Sequence, residues 1–184
     1  MDIFRANRNS SMLLNEVYFW TATIKDWKYL LSNDEFKIII INSLKELVLR
    51  EKIVLYAFVI MPNHIHLVWE MKAMNGKEMP NASFNKFTAH QFQKTLRLTD
   101  PELLSQFKVE EQERKYRFWQ RDALAILMDS REKVFQKIEY IHNNPLLEKW
   151  NWAKEPADYK WSSAKFYEME IDDFSFLTNI AEVF

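Results

Sequence analysis

Residues 53–70 constrain the fold more than any other part of this chain. Ile53 to Ile60 reads IVLYAFVI, an unbroken apolar run rich in β-branched and aromatic residues, and His64 to Glu70 reads HIHLVWE, a second run of strand character. Only Met61, Pro62 and Asn63 separate them. A connection that short, built around Pro and Asn, turns the chain back on itself, so the two runs are expected to pair as an antiparallel hairpin.

The rest of the chain supplies elements to pack around that hairpin. Glu16 to Ile24, with Val17, Tyr18, Phe19, Trp20, Thr21 and Thr23, reads as a first strand. Ser32 followed by Glu35 has the form of a capping box, and Phe36, Ile39, Ile40, Leu44, Leu47 and Val48 recur at helical spacing to about Glu51. Residues 71–82, which hold Gly76, the only glycine, and Pro80, read as an irregular loop. Ser83 to about Leu98 shows a helical pattern through Phe84, Phe87, Phe92 and Leu96, and Pro101 to Glu113 reads as a charged connection. Lys115 to Trp119 suggests a further strand. A last helix begins near Asp129 and Glu132, carries Val134, Ile138 and Ile141 as its buried stripe, and stops near Pro145. The order is β-α-β-β-α-β with an appended helix, an α+β, ferredoxin-like pattern of antiparallel strands. A single domain over 1–184 is expected, with a core of about 12–150 and an irregular tail over 151–184.

Function classes narrow next. With no cysteine there is neither a disulfide framework nor a thiolate metal site, so a metal would have to be held by His, carboxylate, amide or backbone groups. No stretch approaches the roughly 18 apolar residues of a membrane span and the first residues do not resemble a signal peptide, so a soluble, cytoplasmic protein with no membrane partner is expected. The net charge of -1 gives no sign of nucleic-acid binding. Its distribution is uneven. Residues 86–121 hold eight Lys or Arg against five acids, whereas from Trp150 onward three Lys face seven acids. That asymmetry suits one phosphate-facing side, and it equally suits a solvated charged surface.

Three clusters could carry chemistry. His64 and His66 stand two apart on a strand, so both imidazoles share one face while Ile65, Leu67 and Trp69 take the other. Their Cα atoms would lie roughly 6.6 Å apart, within reach of one shared metal ion. Spacing alone leaves open whether the pair binds a metal or only meets solvent. A third His of a histidine-triad hydrolase is missing, that position being Val68. In the last helix, Tyr140 and Asn144 lie about 40° apart on a polar flank shared with Lys133 and Lys137, whereas His142 points about 160° from Tyr140 and reads as structural. The third cluster runs Arg114-Lys115-Tyr116-Arg117-Phe118-Trp119-Gln120-Arg121. Cations interleaved with rings suit single-stranded nucleic acid, and a half-buried strand produces much the same alternation.

Taken together, these segments resemble the single-tyrosine HUH transposases, including the REP-associated tyrosine transposases and their insertion-sequence relatives. The matching pieces are Met61-Pro62-Asn63-His64-Ile65-His66-Leu67, Phe118-Trp119-Gln120-Arg121, the block from Tyr140 to Pro145, and Trp161-Ser162-Ser163-Ala164, in family order over about 100 residues. The resemblance implies a ferredoxin-like domain in which His64 and His66, with Asn144 as a further ligand, bind a divalent ion, Mg²⁺ or Mn²⁺. It implies Tyr140 as the nucleophile that cuts and rejoins single-stranded DNA at hairpin or palindromic ends through a 5′-phosphotyrosine link. Arg114, Lys115, Arg117, Trp119, Arg121, Lys133 and Lys137 are the candidate DNA contacts, and a homodimer is compatible with the family. A domesticated, non-catalytic hairpin-binding protein of the same fold is the alternative. The segment that usually bears glycine after the Asn-Asn-Pro block reads Leu146-Leu147-Glu148-Lys149-Trp150 here.

Overall fold

Alternation along one strand decides which side of the sheet each helix covers. In the computed structural model, which describes residues 12–110, 115–121 and 123–184, β1 (Val17–Thr23) is buried on both faces. Trp20 points one way and packs on Trp69 at 4.9 Å between ring centroids, while Phe19 points the other and stacks on His66 at 5.3 Å. Strand β3 (His64–Met71) runs antiparallel to β1 from Val17 opposite Glu70 to Thr23 opposite His64. Strand β2 (Ile53–Met61) pairs back on β3 as the expected hairpin, with the register shifting between Leu55 and Ala57. Strand β4 (Leu124–Leu127) joins the other side of β1, and the sheet order is β2-β3-β1-β4.

Helix α1 (Asp34–Leu49) links β1 to β2, and α2 (Pro80–Thr99) lies between β3 and β4. The two pack against each other, Phe36 meeting Phe92 edge-on at 5.5 Å, and Phe84 of α2 rests on both Trp20 and Trp69. Both helices therefore cover the Trp20 face, as a ferredoxin-like chain requires. Helix α4 (Arg131–Asn143), preceded by the short α3 (Pro101–Ser105), covers the opposite, Phe19 face. The chain is α+β, with the expected element order. Among the described residues no helix is long and apolar enough to cross a membrane.

Several local expectations are corrected. The cap of α1 is Asn33, whose side chain accepts from Glu35 N–H, and not Ser32; either residue type caps equally well, so sequence leaves the start ambiguous by one. Ser130, not Asp129, caps α4 for the same reason. The fourth strand is Leu124–Leu127 and not Lys115–Trp119. Phe118 and Trp119 are both buried instead of alternating, and this segment forms only single bridges, Trp119 to Ile24 and Tyr116 to Lys108.

The tail is ordered against the free edge of β2. Ile60 N–H donates to the Trp161 carbonyl, Ser163 N–H to the Phe58 carbonyl and Thr178 N–H to the Leu55 carbonyl, so a succession of edge groups on β2 finds partners. A sheet edge left open is a template for pairing with other chains, and this one is closed. Helix α5 (Ala164–Met169) and its flanks add Tyr159, Trp161, Phe176 and Ile180 to the core. Lys37 is buried beneath this layer, its ammonium 2.7 Å from Asp34 and 5.4 Å from the centre of the Trp161 ring.

Candidate metal and nucleophile site

The two histidines of β3 point to the α4 face, as strand periodicity demands, with ring centroids 4.7 Å apart. Both are buried. Each ring is fixed from behind at Nδ1: His64 by Asn63 Oδ1 at 2.7 Å, His66 by Thr21 Oγ1 at 2.7 Å. An amide oxygen can only accept, so His64 carries its proton on Nδ1 and offers the Nε2 lone pair. Thr21 Oγ1 can play the same acceptor role for His66. His66 Nε2 is then a buried lone pair with no partner. An orphaned imidazole nitrogen, with the second ring nitrogen anchored, is the arrangement of a metal-ligating histidine.

Asn144 follows α4 directly, in the short turn that ends at Leu146, and its side chain is buried and hydrogen-bonded to His64. Burial, reinforced by the nearby Lys149 ammonium, pushes His64 down to about 4 against that hydrogen bond. Burial likewise holds His66 well below the ordinary histidine range, with the neighbouring His64 and the Lys137 and Lys149 ammonium groups adding to the effect. Both rings are therefore neutral at physiological pH, the state in which imidazole binds metals. Two imidazoles and one amide oxygen fit a divalent ion. Among the described residues there is no cluster of three or more His, Cys, Asp or Glu side chains, so a carboxylate-rich site is not available.

Tyr140 stands on the turn of α4 nearest this pair. Tyr140 is 46% exposed, and its ring lies 5.4 Å from the His66 ring and 6.1 Å from that of Phe19, so part of it is seated on the site while the rest meets solvent. The Lys137 ammonium lies 5.4 Å from the Tyr140 ring centre and 5.0 Å from that of Phe19, and partial burial lowers its pKa. Phe19, Thr21, His66, Leu124, Ile126, Lys137 and Tyr140 line a cleft of about 200 Å³. His142, expected to be structural, is buried on the far side of the helix, its Nε2 2.8 Å from Ser163 Oγ, and burial pushes it down to about 4.

The candidate DNA contacts scatter. Arg117 and Arg121 line a groove of about 590 Å³ between α2 and the 116–121 segment, together with Lys86 and His90. Lys115 is exposed near Lys108 and Glu110, and Lys133 is exposed and paired with Asp129 at 2.6 Å. Trp119 is a correction. Its ring is buried and its Nε1 donates to Thr88 Oγ1 at 2.9 Å, so it serves the core and offers no face to a base. Arg114 lies outside the described residues. Thr21 and Lys149 were not singled out from sequence. For Thr21 a signal existed, since it sits two positions from Phe19 on an alternating strand, but its partner could be named only once the strand order was known.

Comparison with known proteins bears on the fold. No protein-family model matches this sequence, and no curated protein matches it significantly. Among solved structures, the chain is similar to a REP-associated tyrosine transposase bound to a REP hairpin, with a TM-score of 0.61, 14% identity, and coverage of 98% of this chain and 93% of the other. A protein of Deinococcus radiodurans R1, provisionally called a transposase, aligns at a TM-score of 0.42 and 17% identity over 76% of this chain and 97% of its own. The first of these shows a shared fold over nearly the whole length of both proteins.

Proposed function

We propose that this chain is a single-tyrosine HUH transposase: a metal-dependent single-stranded DNA endonuclease and strand transferase that works through a 5′-phosphotyrosine intermediate. One observation carries the reading. The half-exposed phenol of Tyr140 stands beside two buried, neutral imidazoles whose Nδ1 atoms are tied back and of which one Nε2 lacks any partner. The fold shared with a hairpin-bound tyrosine transposase supports it.

His64, His66 and Asn144 would hold the divalent ion, Mg²⁺ or Mn²⁺, which when bound would polarise a nonbridging oxygen of the scissile phosphate and stabilise the charge that develops there. These ligands bring no negative charge. Because Mg²⁺ is ordinarily held by carboxylates together with substrate phosphates, the DNA phosphate would supply part of the ion's hold. The Tyr140 oxygen attacks phosphorus, the bond from phosphorus to the 3′ oxygen breaks, and that oxygen takes a proton to leave as a 3′-hydroxyl. A phenol is a poor nucleophile at neutral pH, so the attack would rely on activation of the phosphate, and the Lys137 ammonium stands beside the Tyr140 ring. The energy of the broken bond persists in the phosphotyrosine, so a 3′-hydroxyl reseals it by the reverse step without ATP.

Wild-type protein and Tyr140→Phe incubated with hairpin-forming single-stranded oligonucleotides and Mn²⁺ test this on a denaturing gel. A covalent protein–DNA band that needs Tyr140 and vanishes with chelator is expected. Binding without any band would leave a non-catalytic hairpin-binding protein, and cleavage surviving in Tyr140→Phe would replace the phenol with water as nucleophile.

A further inference from the structure

On the side of the histidine pair away from Tyr140 lies a group of aromatic rings that the catalytic reading does not use. Trp27 is 60% exposed and Tyr29 62% exposed, and both follow β1 in the loop that passes the end of the hairpin. Tyr29 and Trp150 meet with ring centroids 5.8 Å apart and planes tilted by 54°, and Trp150 lies 6.2 Å from the His64 ring. The link to the histidines is direct. The Asn63 amide that anchors His64 through Oδ1 donates through Nδ2 to the Trp27 carbonyl at 3.3 Å.

The bond to Asn63 accounts for the Trp27 carbonyl but not for the exposure of its ring. Asp26 and Trp27 both sit in the left-handed backbone region, at φ 55° and 57°, a conformation that bulky side chains rarely adopt and that clusters at functional sites. Burial of Trp27 offers no compensation, since most of its ring faces solvent. The Trp150 indole N–H is buried without an acceptor. Exposed rings held at such a cost beside a site need a ligand with a flat face. The charges specify the class further. Lys149 lies 5.2 Å from the Trp150 ring centre, and Lys25 and Lys28 flank Asp26 and Trp27 in the chain, Lys25 paired with Asp26 and Lys28 hydrogen-bonded to Gln106 at 3.1 Å. Cations with open aromatic faces are what unpaired nucleotides require, the rings taking bases and the ammonium groups taking phosphates.

We infer that Trp27, Tyr29 and Trp150 form a stacking platform for an unpaired base adjoining the scissile phosphate, on the side opposite Tyr140. The inference rests on the proposed DNA-cutting function and names where the flanking strand is held. It also accounts for a charge balance that looks unpromising overall, because the cations that matter are local.

The test is an abasic walk. A hairpin oligonucleotide with unpaired oligothymidylate arms, carrying one abasic nucleotide at successive arm positions, is bound to Tyr140→Phe protein with Mn²⁺ and read by fluorescence anisotropy. At one or two positions beside the cut, removing the base should weaken binding about tenfold. Adding Trp27→Ala or Tyr29→Ala should weaken intact DNA by about the same factor and abolish the abasic penalty at those positions only. Both residues are exposed, and an unchanged Tm confirms that the fold is kept. A flat walk, or a penalty that persists unchanged in the variants, overturns the platform. So does a change in sedimentation instead of DNA affinity, which would make the rings a self-association surface. A covalent band in wild-type protein with a flat walk sinks the platform alone, whereas the expected walk without a band sinks the catalytic reading alone. No binding to any arm sinks both.

Discussion

Replacing Thr21 with valine should separate the shape of this site from its chemistry. Valine has nearly the volume of threonine but no hydroxyl, so the packing of β1 against β3 is kept while the 2.7 Å contact to His66 Nδ1 is lost. His66 then has two choices. It can leave a buried Nδ1–H without an acceptor, which costs about 1–3 kcal/mol. For a chain of this length that lowers Tm by about 2–4 °C for each kcal/mol. Alternatively it can shift its proton to Nε2, which leaves that buried N–H unpaired in turn and blocks the lone pair that a metal needs. Either way Mn²⁺ binding should weaken by about 10- to 100-fold, the usual effect of losing a group that orients a ligating histidine. Calorimetric titration with Mn²⁺ and a thermal melt of the metal-free protein read the two quantities, and Thr21→Ser, which keeps the oxygen, should restore much of both. If Thr21→Val binds Mn²⁺ as wild type does with unchanged Tm, Thr21 does not set the tautomer and the ligand assignment of His66 fails.

Other consequences are as direct. His142 is held near 4 in the folded chain against an ordinary value near 6.5, so the unfolded chain takes up its proton first as pH falls. Stability is therefore full above about pH 6.5 and should decline toward pH 4, by up to about 3 kcal/mol from this ring. Urea unfolding across that window should show the decline, and His142→Gln should make it shallower while buried His64 and His66 keep their own share; a rise in stability on acidification would contradict the burial argument. Ser163 Oγ meets His142 Nε2 at 2.8 Å and accepts from Phe58 N–H at 2.9 Å, so Ser163→Ala should cost about 1–3 kcal/mol in the same unfolding experiment. Lys37 is buried, its ammonium held by Asp34 and, at 3.4 Å, by the Ser32 carbonyl, with two indole rings nearby, so Lys37→Met should be neutral or stabilising, whereas Asp34→Asn should destabilise by about 1 kcal/mol, the small size reflecting the exposure of Asp34. Thermal melts of the two variants distinguish them by sign.

What sequence revealed and what it hid follow from the range of the forces involved. Period-two alternation placed His64 and His66 on one face, and the helical wheel turned His142 away from Tyr140, because these relations hold within one element. The hairpin at 53–71 was legible for the same reason, its turn and both strands being contiguous. The fourth strand was not, since Lys115–Trp119 and Leu124–Leu127 have comparable strand propensity and only packing on Phe92 and Thr88 drew Phe118 and Trp119 inward. Trp119 was mistaken for a base-stacking ring on that account. Likewise the Tyr29–Trp150 pair joins residues far apart in the chain, and no local pattern could have matched them. The tail read as irregular because its order comes from β2 and not from any periodicity of its own.

That tail has a consequence for how damaged versions of the protein would behave. A stop codon just after Trp150 leaves the histidine hairpin, the tyrosine and the asparagine intact, and by motif alone the product would pass for an active enzyme. Yet it would uncover the backbone edge from Leu55 to Ile60 and the apolar side chains that Trp161, Phe176 and Ile180 cover. Such a chain should collect in inclusion bodies, where proteases remove it. A gene cut short at that point would then be silenced through insolubility, with the histidines, the tyrosine and the asparagine all still encoded.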